Sequence, residues 1–137
     1  MLEQVLEKYP GKVKLVMKQF PLRNHRFARR AAEAALAADM QDRFREFSEG
    51  LFQNMRNMSE ETISSTARDL SLDLEQFEKD RKSPRVRNII NRDLAEGGRI
   101  GVRGTPSIYI NGKRLNQRSL EAFSSIIDEE LVSNRKP

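Results

Sequence analysis

The run from Gly101 to Leu115 constrains the fold of this chain more than any other stretch of its sequence. Within it, Ser107–Ile110 is apolar and favours β-structure, which is typical of a short buried strand. Asn111-Gly112 follows directly, and this pair favours a two-residue type I′ turn because both positions need a positive φ. Lys113–Asn116 then supplies the returning strand. The run therefore predicts a β-hairpin.

The residues before the hairpin leave two interpretations open. Pro106 has no N–H to donate, so it suits the first position of a strand and not its middle. Gly101 and Gly104 lie close before it in the sequence. These residues fit an ordinary loop in front of a hairpin. They also fit a surface on which the backbone of another chain docks.

Hydrophobic spacing predicts one further strand and seven helices. Val13, Leu15 and Met17 alternate with other residues and predict a strand over Lys12–Phe20. The predicted order is a helix over 1–9, that strand, helices over 25–40, 41–55, 62–70, 74–82 and 84–96, the hairpin, a helix over 120–131, and a loose tail over 134–137.

Small polar residues mark four of the predicted helix starts. Ser59, Asp73, Ser83 and Ser119 each precede a helical pattern, and such side chains accept hydrogen bonds from the first N–H groups of a helix. Gly97-Gly98 predicts the end of the sixth helix, because glycine commonly follows the last helical residue.

Composition excludes several kinds of chemistry. The 137 residues contain no cysteine, so this chain makes no disulfide, has no thiol chemistry and offers no thiolate to a metal. A single histidine, His25, argues against a histidine-based metal site or catalytic dyad. We therefore predict no catalytic residue, no metal site and no cofactor. No apolar run approaches the roughly 18 residues of a membrane span, so we also predict no membrane partner.

The net charge of +5 raises the question of an anionic partner. The densest basic cluster consists of Arg23, Arg26, Arg29 and Arg30. It has little aromatic interleaving for base stacking, and a solvated helix face explains it more simply. We therefore predict no nucleic-acid partner, although a basic helical protein that binds nucleic acid stays an alternative.

Two segments carry a resemblance to a known family. Phe20-Pro21-Leu22, a following His25 and an alanine-rich helix look like the entry to the helical insertion of the DsbA-type thiol:disulfide oxidoreductases. The segment Gly101–Lys113 resembles the cis-proline loop and hairpin of that family. The resemblance implies an α/β fold, namely an incomplete thioredoxin-like fold with a helical insertion between the first strand and the C-terminal β-hairpin. It assigns 1–24 and 83–137 to the thioredoxin-like part and 25–82 to an inserted helical lobe.

The resemblance also implies a site. In the family the bond corresponding to Thr105–Pro106 is cis, and the residue before the proline presents its backbone to an extended substrate peptide. Gly104, Thr105 and Pro106 are therefore the expected substrate-binding residues, and an extended peptide or protein is the expected partner. The family's Cys-x-x-Cys motif is not in this sequence. Met1–Tyr9 looks like the last turns of the helix that follows the motif, so we expect a chain without the catalytic N-terminal portion.

In a thioredoxin fold the first strand lies at the centre of the sheet, and its absence would leave a gap. We expect the gap to be closed, either by direct antiparallel pairing of residues 13–18 with 107–110 or by a homodimer that shares strands or helices. Full-length members of the family are exported, so the resemblance implies a periplasmic or otherwise extracytoplasmic location, although no signal peptide is present. The expected function is the family's disulfide exchange without catalytic competence in this chain. A non-catalytic peptide-binding module is the alternative.

Overall fold

The computed structural model describes residues 1–133, and the predicted tail over 134–137 lies outside the described residues. The chain divides into two compact units. The terminal unit contains Met1–Met17 and the chain from Gly104 onward, and the central unit contains Lys18–Arg103. The sequence-based division into 1–24 with 83–137 and 25–82 stays a prediction, because compactness does not test which segments belong to the thioredoxin-like part.

Helices account for most of the described residues. The helices are α1 (Leu2–Lys8), α2 (Ala28–Asp39), α3 (Phe44–Gln53), α4 (Glu60–Asp69), α5 (Leu74–Arg81), α6 (Pro84–Arg99) and α7 (Leu120–Ser133), with a short 3₁₀ turn at Met55–Asn57 and two strands, β1 (Tyr109–Ile110) and β2 (Lys113–Arg114). Among residues 1–133 we find no helix that combines the length and the apolar character needed to cross a bilayer.

Three helices begin directly after the capping residues predicted from the sequence. The side chain of Ser59 accepts from the N–H of Thr62, and the side chain of Asp73 accepts from the N–H of Gln76. Ser83 does the same for α6, where proline occupies the first turn. These bonds satisfy N–H groups that have no partner within the helix, which explains why the starts can be read from the sequence.

The central unit has a core of alanines and aromatic rings. Ala34, Ala37 and Ala38 of α2 are fully buried, so the neighbouring helices approach its backbone closely. The rings of Phe47 and Phe77 lie 5.5 Å apart between their centroids. The α2 alanines and the two contacting rings belong to one buried cluster, which joins α2, α3 and α5.

The hairpin in the terminal unit is confirmed. Tyr109 pairs with Arg114 and Ile110 with Lys113 in antiparallel register. Asn111 and Gly112 have φ values of 46° and 85°, the positive angles that a type I′ turn requires.

The core of the terminal unit joins its two helices. Tyr9 donates from its hydroxyl to Asp128 at 2.9 Å, and Lys8 donates to Ser124 at 2.7 Å, so α1 is fixed to α7 by polar contacts beside an apolar core. The buried apolar residues are Val5, Tyr9, Leu115, Phe123 and Ile127.

The predicted strand over Lys12–Phe20 is wrong. Lys12 belongs to a turn, residues 13–20 have no regular secondary structure, and the segment forms no ladder with any other part of the chain that the structure describes. The sheet of the described residues contains β1 and β2 alone, so the expected direct pairing of 13–18 with 107–110 is also absent. Alternating hydrophobicity makes a segment able to form a strand, but a strand exists only when a second backbone lies beside it.

The predicted helix end at Gly97-Gly98 is wrong as well, because α6 continues to Arg99. Gly97 is buried, and a Cβ at this position would lie 2.7 Å from a ring atom of Phe20. The glycine therefore serves the close approach of an aromatic ring to the helix and does not mark the helix end.

Candidate substrate-binding loop

The three predicted site residues lie together on the loop before β1. Thr105 and Pro106 are exposed and Gly104 is half-buried. The Thr105–Pro106 peptide bond is cis in this structure. The hydroxyl of Ser107 donates to the carbonyl oxygen of Gly104 at 2.8 Å, so this bond closes the loop around the two residues between them.

The backbone of Thr105 is available to a ligand. Within residues 1–133, no hydrogen bond joins its N–H or its C=O to another group of the protein. An exposed residue with a free donor and a free acceptor can pair with an extended peptide in the way that one strand pairs with another. Recognition of this kind reads the peptide backbone and is tolerant of its side chains.

A shallow cavity of about 170 Å³ lies next to this loop in the terminal unit. Its lining includes Pro106, Arg114, Asn116 and Arg118. Neither arginine forms an ion pair with a carboxylate of the described residues. The cavity can therefore attract an anionic group, such as a carboxylate of a bound peptide, by charge and by bidentate hydrogen bonding.

Sequence reasoning missed these two arginines. Arg114 belongs to the returning strand of the hairpin and Arg118 precedes the last helix, so each reads as an isolated surface charge. Only the return of the hairpin toward Pro106 brings both into one cavity.

The loop shows no feature of a metal centre. No group of three or more histidine, cysteine, aspartate or glutamate side chains within residues 1–133 is arranged to hold a metal ion. The loop supplies the backbone groups of Thr105, and Arg114 and Arg118 add positive charge to the cavity beside it.

The central unit contains a buried carboxylate that sequence reasoning also missed. The side chain of Asp93 on α6 is 3% exposed and accepts from the N–H of Gln19 at 2.9 Å. Lys18 Nζ lies 3.5 Å from the same carboxylate and 2.8 Å from Glu96. The hydrogen bond to Glu96 raises the pKa of Lys18, and Lys18 in turn lowers the pKa of Glu96. These contacts hold residues 18 and 19 against α6.

Comparisons with known proteins agree with this architecture. A family model described as "Thioredoxin" matches residues 1–129. A solved structure described as a thioredoxin-like oxidoreductase, from Silicibacter pomeroyi DSS-3, superposes with a TM-score of 0.79 at 25% sequence identity, over 96% of this chain and 75% of that one.

Two curated relatives carry the name "Probable disulfide bond formation protein D". The protein from Bacillus cereus is 30% identical and the protein from Bacillus anthracis 29% identical, each across 94% of this chain. The chain spans 62% of the length of each. The fold is thus thioredoxin-like, mostly helical with a small two-stranded sheet, and it carries a helical insertion. This chain belongs to the thioredoxin family, as one of its DsbA-type members.

Proposed function

We propose that this chain supplies the polypeptide-binding part of a thiol:disulfide exchange system. It holds an extended segment of a substrate protein at Gly104, Thr105 and Pro106. The names of the Bacillus relatives and of the Silicibacter structure support the reaction class. The single observation that carries the binding role is the free backbone of Thr105 on an exposed loop.

The thiols of the reaction come from outside these 137 residues. Disulfide exchange begins with attack of a thiolate on a disulfide sulfur, and the sequence contains no cysteine. Acting alone, the chain binds a substrate and transfers no electrons. Stable disulfides form in oxidising compartments, so the proposal also places the protein outside the cytoplasm.

Arg114 and Arg118 refine the substrate class. Their charge lies beside Pro106, so a substrate segment with a carboxylate near the docked residue gains an attraction that a neutral segment lacks. The other basic cluster gives no comparable support to nucleic-acid binding, because Arg29 pairs with Glu33 and Arg30 pairs with Glu60.

Peptide binding by two variants at position 105 tests the proposal. Fluorescence anisotropy would measure the affinity for a labelled, unfolded acidic peptide. Thr105→Pro removes the N–H donor, and we expect it to weaken binding about tenfold, or roughly 1.4 kcal/mol, the size of one good hydrogen bond. Thr105→Ala keeps the backbone groups and serves as the matched control, with an expected change of less than about twofold.

Circular dichroism on both variants keeps the comparison interpretable. Equal binding by Thr105→Pro and the unmodified protein, with unchanged helical signal, would contradict a backbone-mediated role for this loop. Equal loss in both variants would also contradict it, since the threonine side chain would then be the recognition element.

A further inference from the structure

The tip of the hairpin carries the one Asn-Gly pair of this sequence, Asn111-Gly112. Both residues are exposed. The side-chain carbonyl carbon of an asparagine is an electrophile, and the backbone nitrogen of the next residue can attack it to close a five-membered ring. A side chain on that next residue hinders the approach, and glycine has none. The hairpin tip is therefore the place in this sequence where the reaction is least hindered.

The backbone nitrogen of Gly112 is free to react. Its N–H donates to no group within residues 1–133, and a Cβ at this position would meet nothing within 4 Å. Asn88 and Asn91 provide a contrast, because both lie within α6. There the N–H of the following residue donates to a carbonyl oxygen one turn earlier, and this bond must break before the nitrogen can attack. The turn therefore lacks a restraint that the helix imposes.

The side chains of the turn attach the hairpin to α7. Asn111 Nδ2 donates to Oε2 of Glu130 at 2.9 Å. Lys113 Nζ lies 2.9 Å from Glu129 and 3.0 Å from Glu130. The hydrogen bond from Asn111, and after it that from Lys113, lowers the pKa of Glu130, so this carboxylate is ionised. One amide and one ammonium group therefore face two carboxylates of α7.

We propose that Asn111 is a site of spontaneous deamidation, which replaces its amide by a carboxylate and weakens the attachment of the hairpin to α7. The nitrogen of Gly112 loses its proton to a base in the solvent and forms a bond to Cγ of Asn111. The bond between Cγ and Nδ2 breaks, and ammonia leaves. Water then opens the cyclic imide, so the net reaction consumes one water molecule and needs no oxidant, reductant or thiol. The inference does not depend on the function proposed for the Thr105 loop.

The imide can open in two directions. Cleavage of its bond between Gly112 N and Cγ gives an aspartate with an unchanged main chain. Cleavage between Gly112 N and the backbone carbonyl carbon gives an isoaspartate, whose main chain runs through the former side chain and is longer by one methylene group. The length of a two-residue turn sets the register of Ile110 with Lys113, so the longer product disturbs this register.

The aspartate product acts through charge. It replaces the donor that faces Glu130 by a second acceptor, and the lost hydrogen bond has no substitute at that position. Two ionised carboxylates then lie side by side with Lys113 between them, and like charges at short distance repel each other. Both products therefore loosen the hairpin, one through charge and the other through backbone length.

Peptide mapping by mass spectrometry tests the reaction on the 137-residue chain held in mildly alkaline buffer. Trypsin cuts after Arg103 and Lys113, so the peptide with Asn111 contains no other asparagine. We expect this peptide to be converted about tenfold faster than the α6 peptide with Asn88 and Asn91, a difference of roughly 1.4 kcal/mol in activation free energy.

Two variants at position 112 separate the turn from the rest of the protein. Gly112→Ala adds a methyl group beside the attacking nitrogen, so conversion of Asn111 should slow toward the rate of the α6 peptide. Gly112 has a φ of 85°, which alanine adopts only with strain, so circular dichroism checks the fold of this variant. Gly112→Asp is the second variant, because aspartate tolerates a positive φ better and also carries a Cβ.

The effect on the fold is measured with Asn111→Asp, which reproduces the aspartate product. We expect it to increase the equilibrium constant of unfolding in urea about fivefold, through the lost hydrogen bond and the new repulsion. Asn24→Asp is the matched control, since Asn24 is exposed and its side chain forms no hydrogen bond within residues 1–133. In the converted protein, amide exchange at Leu115 should be faster, because its N–H donates to Ile108 across the hairpin at 2.9 Å.

Three outcomes would overturn the inference. The first is conversion of Asn111 that is no faster than conversion of the α6 peptide. The second is an unchanged rate at Asn111 in a folded variant of Gly112, since the glycine would then play no part. The third is equal stability of Asn111→Asp and Asn24→Asp together with unchanged exchange at Leu115 in the converted protein, because the modification would then leave the hairpin as firmly attached as before.

Discussion

Gly97 and Gly98 are adjacent in α6, yet they meet different surroundings. A Cβ on Gly97 would lie 2.7 Å and 2.8 Å from two ring atoms of Phe20, whereas a Cβ on Gly98 would meet nothing within 4 Å. Both positions have the helical backbone that alanine favours. Substitution of Gly98 therefore measures the general cost of glycine in a helix, whereas substitution of Gly97 adds the steric effect of the Phe20 ring.

We predict opposite effects for the two alanine variants. Gly98→Ala should stabilise the protein by about 0.5–1 kcal/mol through helix propensity alone. Gly97→Ala gains the same propensity but displaces the ring of Phe20, so it should be less stable than Gly98→Ala by about 1–2 kcal/mol. Urea unfolding followed by circular dichroism measures both. Equal stability of the two variants would show that the ring moves aside freely.

Residue-level features differ in how far the sequence reveals them. Ser59, Asp73 and Ser83 act within three positions of themselves, so local pattern is enough to predict them. Asp93 cannot be read in this way, because the N–H that it accepts belongs to Gln19, 74 positions away. The Thr105 loop was predicted through resemblance to a family, since spacing alone leaves an ordinary loop equally acceptable.

At the scale of elements, Arg81 ties α4 to α5. Its guanidinium lies 3.0 Å from Glu60 and 2.7 Å from Glu78, and its side chain is 9% exposed. Burial raises the pKa of Glu60, but the hydrogen bonds and charges of Arg81 and Arg30 outweigh it, so the pKa lies below its ordinary value of 4.5. The ionised carboxylate is therefore the form that the fold prefers.

This contact predicts an acid-dependent loss of stability. A lowered pKa in the folded state means that the contact stabilises fully above pH 4.5, the ordinary value, and that its contribution disappears as the pH falls through the lowered pKa. Arg81→Met should therefore destabilise the protein more at pH 7 than at pH 3. Urea unfolding at both values measures the difference.

Lys82→Met is the control for this experiment. Lys82 is 80% exposed and lies 3.8 Å from Glu78, so its removal should change the free energy of unfolding little at either pH. A destabilisation by Arg81→Met that is the same at pH 7 and pH 3 would assign the effect to packing against Phe77 and not to charge.

The element most misjudged from the sequence is the segment over Lys12–Phe20. Its alternation of Val13, Leu15 and Met17 has the period of a strand, yet a strand is a property of two backbones, and one sequence window contains only one of them. The prediction that α6 ends at Gly97-Gly98 was wrong for a related reason. Glycine is required at position 97, but the reason is the close approach of the Phe20 ring and not the end of the helix.

At the scale of the whole molecule, the sequence contains no cysteine and so offers no thiolate for disulfide exchange. We predict that the 137-residue protein does not accelerate the reduction of insulin disulfides by dithiothreitol above the uncatalysed rate. A thioredoxin in the same turbidity assay provides the positive control. Acceleration by this chain would require a nucleophile other than a thiolate and would contradict the proposed division of labour.

The fold class was predictable because the family resemblance extends along almost the whole chain. How the expected gap in the sheet is closed was not predictable, because strand pairing depends on a second backbone that no local sequence pattern identifies. The homodimer expected from the sequence stays a prediction, and sedimentation at several concentrations tests it. Direct pairing of the two flanking segments was the other expectation, and it is wrong.

The unpaired segment at residues 13–17 also governs how the protein behaves when molecules are crowded together. An exposed apolar stretch with no ladder partner, such as Leu15, Val16 and Met17, can seed cross-β stacking and fibril growth. Lys12 and Lys14 lie at its N-terminal side, and their mutual repulsion in a stack opposes such growth. Shelf life in concentrated solution therefore depends on these two ammonium groups, and it shortens in high salt or in strongly alkaline buffer.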